Sequence, residues 1–190
     1  MNEPPAEAGP SAAAASGVDP APPIGSPART EQALMAFLAD LGIATETVRH
    51  PPVFTVEQAK ALRGDLPGSH IKNLFLKDKK GRLWLVVVEE DRPVDLKDLR
   101  RRMGAAPLSF AKPELLADAL GVEPGSVTPF AAINDEAGLV TVVLDAALMD
   151  SERLHCHPLT NTATTGITPA DLDRFLRACG HGPLVIDLTS

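Results

Sequence analysis

Lys72 stands in the stretch HIKNLFL that begins at His70, where alternation of side chains along an extended chain puts it on the face shared by Leu74 and Leu76. An ammonium on an apolar face is costly unless it reaches water or an anion, so two readings are open. Lys72 opens a strand and snorkels into solvent, or it holds a phosphate or a carbonyl at the edge of a cleft. His155 and His157 stand two apart with Cys156 between them, which on a strand sends both imidazoles to one face and the thiol to the other. Such a pair could ligate a metal, but no acidic or thiol third ligand is placed for it, and a hydrogen-bonded or substrate-facing histidine is the plainer reading. The segment GVEPGSVTPF from Gly121 has two glycines and two prolines in ten residues, which forces tight turns and frees main-chain N–H groups. Such a loop is a mere connector, or it orients a carbonyl or a water.

Lys97, Arg100 and Arg101 recur at helical spacing with Arg102 beside them, and Lys77, Lys79, Lys80 and Arg82 crowd the turn of a hairpin. A solvated face is the default for such runs, and contact with phosphates is the competing reading. One tryptophan and no tyrosine argue against an aromatic platform for single strands. The chain has no P-loop, no GxGxxG, no GxSxG elbow, no HExxH and no paired CxxC, which lowers the case for nucleotide hydrolysis and for standard zinc sites.

The elements that must position these residues follow from caps and periodicity. Thr30 caps a helix carrying Leu34, Phe37, Leu38 and Leu41 that Gly42 stops, and residues 43–48 read as a short strand broken by His50-Pro51-Pro52. Thr55 with Gln58 is a capping-box pair for a helix ending at Gly64. Residues 71–77 and 83–89 flank the turn Asp78-Lys79-Lys80-Gly81 as an antiparallel hairpin, with Trp84, Val86 and Val88 on one face. Asp95 caps the basic helix, Pro113 opens another that stops before Gly121, and residues 139–144, 153–157 and 162–167 read as strands. Thr168-Pro169 opens a helix with Leu172, Phe175 and Leu176 that Gly180 closes ahead of a last strand over 184–188. This order predicts an α+β fold, a mixed, largely antiparallel sheet surrounded by helices.

Residues 1–28 hold seven prolines and eight alanines but only Val18 and Ile24 as larger aliphatics, too little apolar surface to offset ordering, so they read as a disordered tail ahead of one domain over 29–190. With 44% hydrophobic and 23% charged residues in 190, that domain can bury a core of its own. A net charge of −7 means that any nucleic acid must be met by a local basic patch. Two cysteines, no apolar run of membrane-spanning length and no signal-peptide pattern point to a cytoplasmic protein that binds no membrane.

Together, the HPPVFTVEQA stretch from His50, HIKNLFL from His70, the GSVTP loop from Gly125 and HPLTNTATTGIT from His157 resemble the YbaK/ProX family of aminoacyl-tRNA editing domains, over residues 30–190. The HPLTNTATT version looks most like the freestanding ProXp-ala type, which hydrolyses alanine wrongly attached to proline tRNA, rather than the YbaK type acting on cysteinyl-tRNA(Pro). The resemblance implies a fold like the insertion domain of prolyl-tRNA synthetase. It implies Lys72 as the functionally required lysine with Asn73 beside it, Gly125 and Pro129 as the ends of a GxxxP loop that includes Ser126, Val127 and Thr128, and His157 as the histidine of the HPL segment. Pro52, Phe54 and Thr55 become pocket walls. Neither cofactor nor metal is implied. The partner implied is the acceptor stem of aminoacylated tRNA(Pro), with Lys97, Arg100 and Arg101 on its phosphates and prolyl-tRNA synthetase as a further partner. Two other readings compete with alanine removal: hydrolysis of Cys-tRNA(Pro) or another small aminoacyl-tRNA, and a non-catalytic tRNA-binding module. A metal-dependent hydrolase built on His155 and His157 is a third.

Overall fold

The computed structural model describes residues 28–52 and 67–188. The expected helix over 55–64, Phe54 and Thr55, and all of the expected tail except Ala28 lie outside the described residues.

Helix α1 (Glu31–Asp40) begins where Thr30 Oγ1 accepts the Ala33 N–H at 3.2 Å, a cap worth about 1 kcal/mol, and it buries Leu34 and Leu38. At its other end Gly42 takes φ +66°, its N–H bonds to the Ala39 carbonyl at 2.8 Å, and the Ile43 N–H bonds to the Leu38 carbonyl at 2.9 Å. That six-to-one closure draws Ile43 back onto the helix as a buried residue. The strand expected from residue 43 therefore starts later, as β1 (Glu46–Arg49), exposed throughout.

Strands β2 (Ser69–Asp78) and β3 (Leu83–Glu89) form the expected hairpin, in register from Ile71 opposite Glu89 to Lys77 opposite Leu83. Its turn is closed by Asp78, whose Oδ1 accepts the N–H groups of Lys80 at 2.8 Å and Arg82 at 3.0 Å. Burial pushes the Asp78 carboxyl up, but the N–H groups of Arg82, Lys80 and Ala106 outweigh that and hold it below its ordinary value. Alternation along β3 splits the interior in two: Leu85 and Val87 join Leu34, Leu38, Phe130 and Phe175 on one face, while Trp84, Val86 and Val88 join Leu76, Leu99 and Met103 on the other.

The remaining elements are α2 (Leu96–Met103), β4 (Leu108–Phe110), α3 (Pro113–Leu120), β5 (Val140–Asp145), β6 (Leu154–Cys156), β7 (Ala163–Ile167), α4 (Pro169–Ala178) and β8 (Leu184–Ile186), with 3-10 turns at Pro129–Asn134 and Ala146–Asp150. The eight-stranded sheet runs β1-β7-β6-β2-β3-β5-β8, and β4 pairs β2 off this path. The pairs β1 with β7, β6 with β7, β2 with β3 and β2 with β4 are antiparallel; β2 with β6, β3 with β5 and β5 with β8 are parallel. This is the mixed α+β sheet that the element order predicts, with β4 and both 3-10 turns added. The last strand is shorter than expected, ending at Ile186 rather than Leu188.

Candidate active site

Strand β2 changes neighbours along its outer edge. The parallel strand β6 takes Ser69 and His70, the antiparallel strand β4 takes Leu76, Lys77 and Asp78, and the stretch between has no strand on that side among the described residues. The segment after α3 is tied to this stretch of β2. Asn73 Nδ2 donates to the Val127 carbonyl at 2.9 Å, while Asn73 Oδ1 is buried and has no hydrogen-bond donor among the described residues.

Pro124 and Gly125 occupy the middle of a tight turn closed by the Ser126 N–H on the Glu123 carbonyl at 3.0 Å, and Gly125 takes φ +91°, the left-handed value that a second central residue in a type II turn needs. The Ser126 N–H is thereby spent on the turn. Of the four loop residues expected to offer amides, Gly125, Val127 and Thr128 keep an N–H without an acceptor among the described residues, and Ser126 does not. Thr128, fully buried, caps the 3-10 turn that follows, its Oγ1 accepting the Phe130 N–H at 3.3 Å, and Pro129 is buried at the first position of that turn. The loop is therefore pinned at its turn, at Val127 and at Thr128.

Lys72 pairs with Val88 and Asn73 with Val87, so their side chains leave opposite faces of β2. The Lys72 ammonium donates to the Arg92 carbonyl in the connection from β3 to α2. That carbonyl is held in turn by an ion pair, Arg92 Nε to Asp145 Oδ2 at 2.6 Å, in which the carboxylate is wholly buried. An ammonium has three donors, so this bond leaves two for an anion. The ammonium is thus tied to a main-chain carbonyl of the protein itself. The loop is held on the Asn73 face, and the Lys72 ammonium lies on the other face of the strand, at the Arg92 carbonyl.

His70 and His155 are register partners, and their rings stack 4.5 Å apart. Lys72 follows two residues after His70 on that face of β2, and His157 follows two residues after His155, just past the end of β6. His157 Nδ1 donates to the Ala163 carbonyl at 3.1 Å, and burial, reinforced by the nearby His50, pushes its pKa below the ordinary value against the effect of that bond. The ring is thus neutral with an accepting Nε2. His50, absent from the expected site, lies 6.4 Å from His157 between ring centres, and its Nε2 bonds to the Thr164 hydroxyl at 2.9 Å. Pro158, buried, and Leu159, at φ +65°, form the tight corner after His157, closed by the Leu159 N–H on the His157 carbonyl at 3.0 Å. His155 Nε2 bonds the Pro67 carbonyl at 2.9 Å, and no group of three or more His, Cys, Asp or Glu side chains suited to a metal occurs among the described residues. Pro52 is exposed.

In the helix expected to meet phosphates, Lys97 and Arg100 are exposed with no carboxylate at ion-pair distance among the described residues, whereas Arg101 and Arg102 are both paired with Asp98. Arg102 also donates to the Asp187 carbonyl at 2.9 Å.

A family model for the aminoacyl-tRNA editing domain matches residues 50–175, from His50 through the loop and His157 into α4. The chain belongs to the aminoacyl-tRNA editing domain family. It is 47% identical to prolyl-tRNA synthetase associated domain-containing protein 1 of Danio rerio over 163 residues, 85% of this chain and 89% of that one. It is 36% identical to the prolyl-tRNA editing protein ProX of Acetoanaerobium sticklandii over 159 residues, 83% of this chain and 97% of that one. Among solved structures, a crystal structure described as that of a candidate trans-editing enzyme for prolyl tRNA synthetase superposes with a TM-score of 0.64 at 23% identity, covering 86% of this chain and 99% of that one, a likeness of fold. His50 opens the family match, and the HPP sequence around it was the signal for its place beside His157.

Proposed function

We propose that this editing domain hydrolyses alanine from mischarged Ala-tRNA(Pro), and that it does so without a metal ion. The observation that carries the reading is the Asn73 to Val127 bond, which ties the Gly125 loop to β2, with amides at Gly125 and Val127 that have no acceptor among the described residues. An ester between an amino acid and a ribose hydroxyl is already activated, so positioning and polarisation of its carbonyl suffice. The loop amides orient the carbonyl or the attacking water. Water adds to the acyl carbon, the bond from that carbon to the ribose oxygen breaks, and the vicinal ribose hydroxyl relays the proton to the leaving oxygen, giving free alanine and uncharged tRNA. Lys72 contributes its remaining donors to the phosphate of the terminal adenosine. His157, neutral and tied to Ala163, shapes the pocket and accepts a hydrogen bond from substrate rather than acting as general base. Discrimination is by exclusion: a cavity that admits alanine clashes with a prolyl ring, which separates the two by more than the ~1 to 3 kcal/mol available from one methylene.

Release of amino acid from Ala-tRNA(Pro), Pro-tRNA(Pro) and Cys-tRNA(Pro), measured side by side with and without a chelator, tests the proposal. Alanine is expected to be released fastest and chelator to change nothing. Lys72→Ala is expected to lower kcat/KM for Ala-tRNA(Pro) by about a hundredfold, as loss of a charge-stabilising contact does. Retention of wild-type turnover would remove Lys72 from the site, and preference for the cysteinyl ester would change the substrate.

A further inference from the structure

Phe110 ends β4 with 65% of its surface exposed, more than any other large apolar residue among those described. A bare aromatic ring on an edge strand is a liability unless something covers it. Its surroundings say what. Phe110 pairs with Leu76 and Ser109 with Lys77, Lys79 donates its N–H to the Pro107 carbonyl at 3.0 Å just before β4, and Lys112 follows two residues after the ring.

The lysines around β4 are unspent. Lys77, Lys79, Lys80 and Lys112 have no carboxylate at ion-pair distance among the described residues, while Arg49, Arg153, Arg174 and Arg177, on other parts of the surface, each have one. The nearest buried acid, Asp78, is occupied by the N–H groups of Lys80 and Arg82; Glu114, in the first turn of α3, is the acidic side chain that borders the patch in sequence. On a chain with a net charge of −7, an exposed ring whose strand is flanked by lysines without carboxylate partners matches a polyanion that also carries flat, apolar faces. Base-paired RNA keeps its bases stacked inside, so the ring fits an unpaired base. β4 also borders the gap in β2: Leu76, opposite Phe110, lies three residues from Asn73, about 10 Å along the strand.

We infer that Phe110 is a stacking platform for an unpaired base of the RNA substrate, with Lys79 and Lys112 on the adjoining phosphates, so that the single-stranded end of the RNA runs past β4 toward the gap. This rests on the proposed tRNA substrate. It also revises the expectation drawn from aromatic content, since one exposed ring serves one base.

The test uses the full chain and two uncharged RNA hairpins, one blunt and one with a short single-stranded 3′ extension. Phe110→Ala is expected to weaken binding of the extended hairpin about tenfold and to leave the blunt one unchanged, with Phe110→Leu failing to restore affinity because it replaces bulk but not the π face. Lys112→Ala is expected to weaken both hairpins and to reduce the salt slope by about one. Phe110→Trp adds an exposed indole to a chain whose single tryptophan, Trp84, is buried, and its emission is expected to be quenched by the extended hairpin alone. Wild-type affinity in Phe110→Ala, or full rescue by leucine, would overturn the inference and leave the ring to an apolar protein partner. Failure of the unsubstituted protein to release alanine from Ala-tRNA(Pro) would instead strike the proposed reaction, whatever the hairpins show.

Discussion

The two ends of β2 treat positive charge in opposite ways. Toward its start, Lys72 is bonded to the Arg92 carbonyl, and Arg92 is clamped on the fully buried Asp145. Toward its end, Lys77, Lys79 and Lys80 are exposed or half-buried without acidic partners among the described residues, as is Arg100 on α2. A cation that must sit at a defined place relative to a reacting ester benefits from a fixed anchor, because misplacement is expensive there. A cation that meets a polyanion gains more from being unpaired, since an existing ion pair has to be given up for every phosphate contact. The contrast separates a positioning centre from an electrostatic landing surface on one strand.

Removing the buried anchor should have the largest effect. Asp145→Asn leaves the Arg92 guanidinium, only 19% exposed, without its carboxylate, and is expected to cost about 3 kcal/mol in urea unfolding while also loosening the carbonyl that holds Lys72. A loss below about 1 kcal/mol would mean that water already screens the pair and that the start of β2 resembles its end. Next is the landing surface. Lys97→Glu with Arg100→Glu is expected to weaken tRNA binding about tenfold at low salt, an effect that shrinks as salt rises, and Arg101→Glu alone should do less because Asp98 already occupies that guanidinium. Equal effects at Arg100 and Arg101 would erase the distinction between paired and unpaired cations. The smallest effect concerns protons. Because the folded-state pKa of His157 lies below its ordinary value of 6.5, the unfolded chain binds a proton that the native state refuses as pH falls through that value. Stability is therefore fully present above about pH 7 and declines below it, by at most about 1.4 kcal/mol per pH unit for one group, until the native pKa is reached. His157→Gln is expected to flatten that decline in unfolding curves taken from pH 7.5 to 5; an unchanged slope would place the ring in a wetter setting.

What could be foreseen from the sequence divides along the same lines as the forces involved. Local signals were legible: Thr30 as a helix cap, the Asp78 turn, Asp95 and Thr168 at helix starts, and the alternation that sends Trp84, Val86 and Val88 to one core. The motifs around His50, His70, Gly125 and His157 carried the family. Features that depend on distant partners were not legible. β4 has three residues, too few for their alternation to mark a strand, and it is held as one by pairing with Leu76, Lys77 and Asp78. Ile43 was misplaced because closure of α1 on Leu38 outweighs its β propensity. Nothing near Arg92 in sequence announces Asp145, and nothing near Asn73 announces the Val127 carbonyl. Ser126 loses its expected role to a turn that its own Pro124 and Gly125 create.

A strand that exchanges a parallel partner for an antiparallel one partway along leaves a length of ribbon whose outer side belongs to neither. In this protein the segment beside that stretch is tied to the sheet by one side-chain amide, turns at Pro124-Gly125, and buries Val122, Thr128 and Pro129. Only its exposed turn, residues 123–125, is free to vary in length and bulk at the modest entropic cost of a surface segment, while its buried ends stay bound to the architecture beneath.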